Sequence, residues 1–226
     1  MTASRGVWRR RRTKVGSELL AITRIFGAAP PPFRLVGPRV TLRTPEREDF
    51  DEWAVLRAQS RGFLAPFEPS WPNDAVTRAG FRRRLQRYAA DWRSDQGYSF
   101  LLVRRADRVL LGGISLSNVR RGVAETASLG YWIGERFARQ GYMTDGLRLT
   151  LAFAFDRLRL HRIEAACLPH NQASRRLLVK CGFREEGYAK EYLSIDGRWQ
   201  DHLLFGLLAS EWTRHSEATR AAETVS

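Results

Sequence analysis

Apolar positions in this chain switch between two periods, and the switches mark out its elements. Val40 and Leu42 alternate with Thr41 and Arg43, the period of two expected of a half-buried strand. From Glu46 to Gln59 the spacing of Phe50, Trp53 and Leu56 predicts a helix instead. An aromatic, proline-rich loop follows, Ser60 to Pro72. Asp74 is placed to cap a helix running to about Asp95, with Phe81, Leu85, Tyr88 and Trp92 on one face. Tyr98 to Val103 and Val109 to Leu116 read as a strand pair joined by the turn Ala106-Asp107-Arg108. Ala127 to Ile133 is a fourth strand, and Leu147, Leu151, Ala154, Phe155 and Leu158 define a helix after Gly141. Arg162 to Leu168 reads as a fifth strand and Asn171 to Lys180 as a helix. Phe183 to Leu193 and Trp199 to Leu207 complete the pattern as two last strands.

Between the fourth strand and its following helix lies Arg139-Gln140-Gly141-Tyr142-Met143-Thr144. A glycine at such a turn lets the backbone approach a ligand closely. The first amides of the next helix lack internal partners and carry the positive end of its dipole, so the turn is a natural seat for phosphate. About thirty residues on, Asn171-Gln172-Ala173-Ser174 opens a helix that ends in Lys180-Cys181-Gly182-Phe183. Asn171 is placed to reach a ligand or, equally, simply to cap that helix, and Ser174 lies one turn further on the same side.

Charge changes the picture at one end. The chain has 226 residues and a net charge of +14, and residues 1–34 hold eight Lys/Arg against one acid, half of that excess. Arg9 to Arg12 precede a short amphipathic stretch and then Pro30-Pro31-Pro32. Glu18 and Arg24 interrupt the apolar segment, which argues against a signal peptide, while an acid-poor transit peptide stays open as a reading. We divide the chain into a basic extension (1–32), one domain (33–214) and a short tail (215–226). Such an arm suits polyanions, with ribosomal RNA a candidate, or is a solvated extension with no partner. No apolar run approaches the roughly 18–20 residues of a membrane span. Cys167 and Cys181 fall in segments read as buried, which suits unpaired thiols in a reducing cytoplasm. His161, His170, His202 and His215 show no metal-ligand spacing, so no metal is expected.

Strand, glycine turn, helix, strand, then an N-x-x-S helix ending in K-x-G-F resembles the core of the GCN5-related N-acetyltransferases (GNAT). Their turn motif is Q/R-x-x-G-x-G/A; here it reads Ala138-Arg139-Gln140-Gly141-Tyr142-Met143, departing at its first and last positions. The departure is tolerable, because main-chain amides rather than side chains hold the phosphates. The match narrows further along the chain. Glu186 to Leu193, Ile195 to His202, Gly112-Gly113-Ile114, Leu116-Ser117-Asn118, Gly130-Tyr131-Trp132 and the loop around Phe63 and Glu68-Pro69 are similar to the RimJ-type ribosomal-protein-alanine N-acetyltransferases.

The resemblance implies an α/β (α+β) GNAT fold: a mixed sheet of about seven strands, splayed between the fourth and fifth, with helices on both faces. It implies acetyl-coenzyme A as co-substrate, held by residues 139–144 (Arg139, Gln140, Gly141, Tyr142, Met143, Thr144), Asn171 and Ser174, with the Ile133 N–H polarising the thioester. Phe67, Glu68 and Asn118 are expected beside the acceptor. That acceptor would be the N-terminal amine of a ribosomal protein, in the cytoplasm, for an enzyme that is a monomer or homodimer. In many relatives a tyrosine seven residues after the asparagine protonates the departing thiolate; here that position is Leu178, and Ser174 is the available hydroxyl. Glu68, Glu125, Glu191 and Asp201 are candidate bases that spacing does not separate; Glu191 is assigned a catalytic role with Ser174.

The chemistry asks little of such a base. A peptide α-amine has a reference pKa of about 7.7–8.0 and lysine about 10.4, so at pH 7.5 roughly a third of α-amines are neutral but only about one lysine in 800. Direct attack in a ternary complex then depends mainly on positioning and carbonyl polarisation. Two other functions compete: acetylation of a small amine such as an antibiotic or polyamine, and a non-catalytic ribosome- or RNA-binding module.

Overall fold

The computed structural model describes residues 29–212; residues 1–28, most of the basic extension, and 213–226, which hold the tail, lie outside them. Eight strands form one sheet: β1 (Arg34–Val36), β2 (Val40–Arg43), β3 (Tyr98–Arg104), β4 (Leu110–Arg120), β5 (Thr126–Ile133), β6 (Arg162–Cys167), β7 (Arg184–Ile195) and β8 (Arg198–Leu208). Their spatial order is β1-β2-β3-β4-β5-β6-β8-β7. The count exceeds the expected seven by β1, a three-residue strand of mostly exposed positions that carries no alternation to read. Pro30 is buried, and the Thr44 hydroxyl donates to the Pro31 carbonyl at 3.0 Å.

Among the described residues the sheet is accompanied by the α-helices α1 (Phe50–Gln59), α2 (Arg61–Leu64), α3 (Arg78–Arg93), α4 (Tyr142–Ala152) and α5 (Gln172–Lys180), and the chain is helical again over residues 209–212. The cap of α3 is Thr77, whose side chain accepts from the Gly80 N–H. Asp74, the expected cap, instead pairs with Arg83 and lends its carbonyl to Thr77. A single π-helical turn, Phe153–Arg157, follows α4. No helix among the described residues is long and apolar enough to cross a membrane.

Neighbouring strands pair antiparallel except β5 and β6, which run parallel and are therefore joined by a crossover, α4. Their pairing covers only Thr126↔Arg162, Ala127↔Ile163 and Ser128↔Glu164; beyond Ser128 the strands part. Tyr131 and Trp132, adjacent on β5, point to opposite faces. Tyr131 meets Ser174 of α5, while Trp132 lies against Arg57 of α1, so helices cover both faces. The core runs through Leu102, Leu111, Leu147, Leu151, Ile163 and Leu178, each fully buried. Gly146 lets α4 press onto the sheet: a β-carbon there would stand 2.7 Å from Ile114 and 2.8 Å from Leu102 side-chain atoms. That close approach fixes where the N-terminus of α4 comes to rest.

Candidate active site

The parting of β5 and β6 opens a cleft of about 1500 Å³. Main-chain geometry says what its walls offer. The Gly134 N–H donates to Leu111 of β4, so by the alternation of an extended strand the amides of Ile133 and Tyr131 face the other way, into the split. No strand partner meets them there, because β6 pairing has ended at Glu164.

The N-terminus of α4 forms one end of the cleft. Gly141 is its cap residue at φ +80°, a conformation favourable to glycine, and Arg139 two residues earlier is also left-handed at φ +62°. The first helical bond is from the Asp145 N–H to the Gly141 carbonyl at 3.2 Å, so the amides of Tyr142, Met143 and Thr144 precede it without helical acceptors. Gly141, Met143 and Thr144 line the cleft, together with the exposed cations Arg139, Arg176 and Lys180. This end carries positive charge and free amides.

Sequence reasoning missed what braces the turn. Arg39, in the turn before β2, donates to Asp145 at 2.7 Å and to the Gln140 carbonyl at 3.3 Å, and lies 5.3 Å from the Tyr142 ring centre. Arg39 and Gly141 are about a hundred residues apart, and no spacing signal links them. Gln140 and Tyr142 themselves do not line the cleft: the Gln140 amide turns to Arg136, and Tyr142 packs between Arg39 and Arg104.

Midway, Asn171 caps α5 by accepting the Ser174 N–H at 3.0 Å, and the Ser174 hydroxyl meets the Tyr131 hydroxyl at 2.7 Å. Tyr131 is therefore a site residue with no role read from sequence, although alternation along β5 places it on the α5 face. Burial pushes its phenol well above the usual tyrosine range, with the Ser174 bond opposing, so it stays protonated. Cys167 also lines the cleft; burial raises its thiol, partly offset by a contact with Ser174, which leaves it a poor nucleophile. Both cysteines are free and buried.

Phe67, Glu68 and Asn118 also line the cleft. Glu68 is not an available base. Arg57 grips its carboxylate with two bonds of 2.7 Å, the Trp71 indole adds a third at 2.8 Å, and the guanidinium lies between the rings of Trp71 and Trp132. The Glu68 carbonyl accepts the Asp196 N–H at 3.0 Å, tying this loop to the β7–β8 turn. Glu164 and Glu186, the other acids lining the cleft, both pair with Arg162. Glu191 departs from expectation: it is exposed at a bulge of β7, φ +45°, and does not line the cleft. Between the pairs Ala189↔His202 and Leu193↔Gln200, β7 carries two residues more than β8, an irregularity that no local pattern in the sequence records.

Sheet, split and helix N-terminus together define an acetyltransferase architecture, and the chain belongs to the GCN5-related N-acetyltransferase family: the Acetyltransferase (GNAT) domain matches residues 39–184. Within it the chain is similar to the ribosomal protein uS5-alanine N-acetyltransferase of Escherichia coli strain K12, 34% identical over 183 residues, covering 81% of this chain and 94% of that protein. Mycobacterium smegmatis RimJ, solved in complex with CoA-disulfide, superposes with a TM-score of 0.75 at 30% identity, covering 84% of this chain and 93% of that one. The ribosomal-protein-S5-alanine acetyltransferase of Vibrio fischeri gives 0.74 at 28% identity, covering 80% and 98%.

Proposed function

We propose that this enzyme transfers the acetyl group of acetyl-coenzyme A to the N-terminal α-amine of a ribosomal protein, one that begins with alanine. The observation that carries the reading is the charge state of the cleft. Each acid lining it is already engaged by an arginine, Glu68 by Arg57 and Glu164 and Glu186 by Arg162. A polyamine would need unengaged carboxylates, whereas a single α-amine, a third of it neutral at pH 7.5, needs none.

The diphosphate would rest on the amides of residues 141–144 at the α4 terminus, with Arg139, Arg176 and Lys180 around it. Glycine at 141 supports the fit: its φ of +80° disfavours any side chain, and a β-carbon there would stand 2.8 Å from Nη2 of Arg39, which braces the turn. The acetyl carbonyl would take its hydrogen bond from the Ile133 amide, and the acceptor would enter past Phe67 and Asn118. The amine nitrogen attacks the carbonyl carbon, the C–N bond forms, and the C–S bond breaks with its electrons on sulfur. Ser174, bonded to the protonated Tyr131, is positioned to return a proton to that sulfur. A ribosomal acceptor sets the reaction in the cytoplasm, and the basic residues 1–32 would add contacts to ribosomal RNA.

The test is mass spectrometry of peptides incubated with enzyme and acetyl-coenzyme A. A peptide starting with alanine gains one acetyl group at its α-amine. Preference for spermidine or a lysine side chain over that peptide would refute the reading.

A further inference from the structure

His202 is 3% exposed, yet it lines the cleft. Its place follows from register. On β8, Leu203 pairs with Cys167 of β6, whose thiol meets Ser174 on the α5 face, so the next residue along, His202, turns to the acceptor face. This is the face on which Trp132, Arg57 and Glu68 stand. The bulge in β7 after Ala189, which carried Glu191 outward, brings the Tyr192 ring to 5.8 Å from the imidazole, edge to face.

The ring's hydrogen bonding is one-sided. Nδ1 lies 2.9 Å from the Gln200 carbonyl oxygen. A carbonyl only accepts, so Nδ1 carries the hydrogen and the neutral ring keeps its lone pair on Nε2. Nε2 has no partner among the described residues, and the one side-chain polar atom sealed off from solvent without a partner is Thr126 Oγ1. Nε2 is thus unpartnered but not sealed, and the space it opens on is the cleft.

We propose that His202 is the proton acceptor for the attacking amine, a role that rests on the amine-acetylation reading above. As nitrogen bonds to the thioester carbon it must lose one hydrogen, and Nε2 takes it as a proton. The C–S bond breaks, sulfur leaves with the electron pair, and the proton it gains from Ser174 balances the one lost from nitrogen. The imidazolium then returns its proton to water, and Ser174 regains its own by the same route. A histidine is a base of the strength an α-amine calls for. Tyr192 and the carbonyl of Gln200 hold the ring so that this lone pair, and not the N–H, meets the acceptor.

Asparagine separates catalysis from structure, because its amide nitrogen reproduces Nδ1–H while nothing replaces Nε2. In His202→Asn the Gln200 bond survives; kcat should fall about 100-fold while acetyl-coenzyme A affinity and melting temperature hold. In His202→Ala, added imidazole should restore turnover in a saturable manner. Turnover is followed as thiol release with an alanine-starting peptide, a lysine peptide and spermidine side by side. A wild-type enzyme that prefers another amine corrects the acceptor, and the variants are then compared on that amine. His202→Asn retaining more than about a third of wild-type rate, or His202→Ala indifferent to imidazole, overturns the role. A wild type that turns over none of the three overturns role and function together.

Discussion

Replacing Arg57 by alanine takes one member from a pair that holds the acceptor loop. The guanidinium side chain is 10% exposed and its partner Glu68 20%, so little solvent is on hand to take over the orphaned carboxylate. Breaking a buried pair costs about 3–5 kcal/mol, and residual exposure moves this case to the lower end. Stacking on Trp71 at 4.2 Å and Trp132 at 4.8 Å adds to the loss. Taking about 3 kcal/mol, a domain of this size should melt about 6–12 °C lower. The consequence for function is separable. The Glu68 carbonyl anchors the β7–β8 turn through Asp196, so a loosened loop should raise KM for the peptide about tenfold, with acetyl-coenzyme A affinity unchanged. Differential scanning calorimetry and steady-state kinetics on one preparation read both effects. Arg57→Lys keeps the charge but not the two-pronged grip or the stack, and should fall between. A melting temperature within about 2 °C of wild type, or a KM shift confined to acetyl-coenzyme A, would refute the argument.

Gly141→Asp sets a carboxylate where phosphate is expected, with a β-carbon 2.8 Å from Arg39 Nη2. Left-handed strain of about 1–2 kcal/mol and charge repulsion, partly shielded by Arg39, should weaken acetyl-coenzyme A binding about 100-fold by calorimetry. Wild-type affinity would misplace the site. Ser174→Ala and Tyr131→Phe should each lower kcat about tenfold, and the double variant no further, because the two hydroxyls act as one unit. Additive losses would count against a shared role. Asp95 is held below the ordinary carboxylate range chiefly by Arg121, with help from Tyr98. The stability it lends is present above the unfolded value of about 3.9 and lost as pH falls through the lower folded one. Asp95→Asn should therefore flatten the acid limb of a urea-midpoint profile below about pH 4, and an unchanged limb would discount the pair.

The elements with strong periods were legible from sequence: β5, β6 and α5 fall within a residue or two of expectation, and with them the glycine turn and the start of α4, whereas Ala154 and Phe155, read as part of that helix, lie in the π-helical turn Phe153–Arg157. What escaped depends on contacts that no local pattern records. Arg39 reaches Asp145 across more than a hundred residues, and β1 is too short to alternate. Asp74 and Thr77 both suit a cap, and only the fold shows Thr77 accepting from Gly80. Glu191 and His202 exchange prominence through a single irregularity: the β7 bulge expels the first and brings an aromatic ring over the second. The Tyr131 hydroxyl lay within a recognised segment, but its meaning needed Ser174 across the sheet face.

Three rungs alone join β5 to β6, and past them the upper edge of β5 is a ladder with one rail. A coenzyme arm bearing amide groups of its own would serve as the missing rail. Binding such an arm would then finish the sheet as well as deliver the reagent, stitching the seam between β5 and β6.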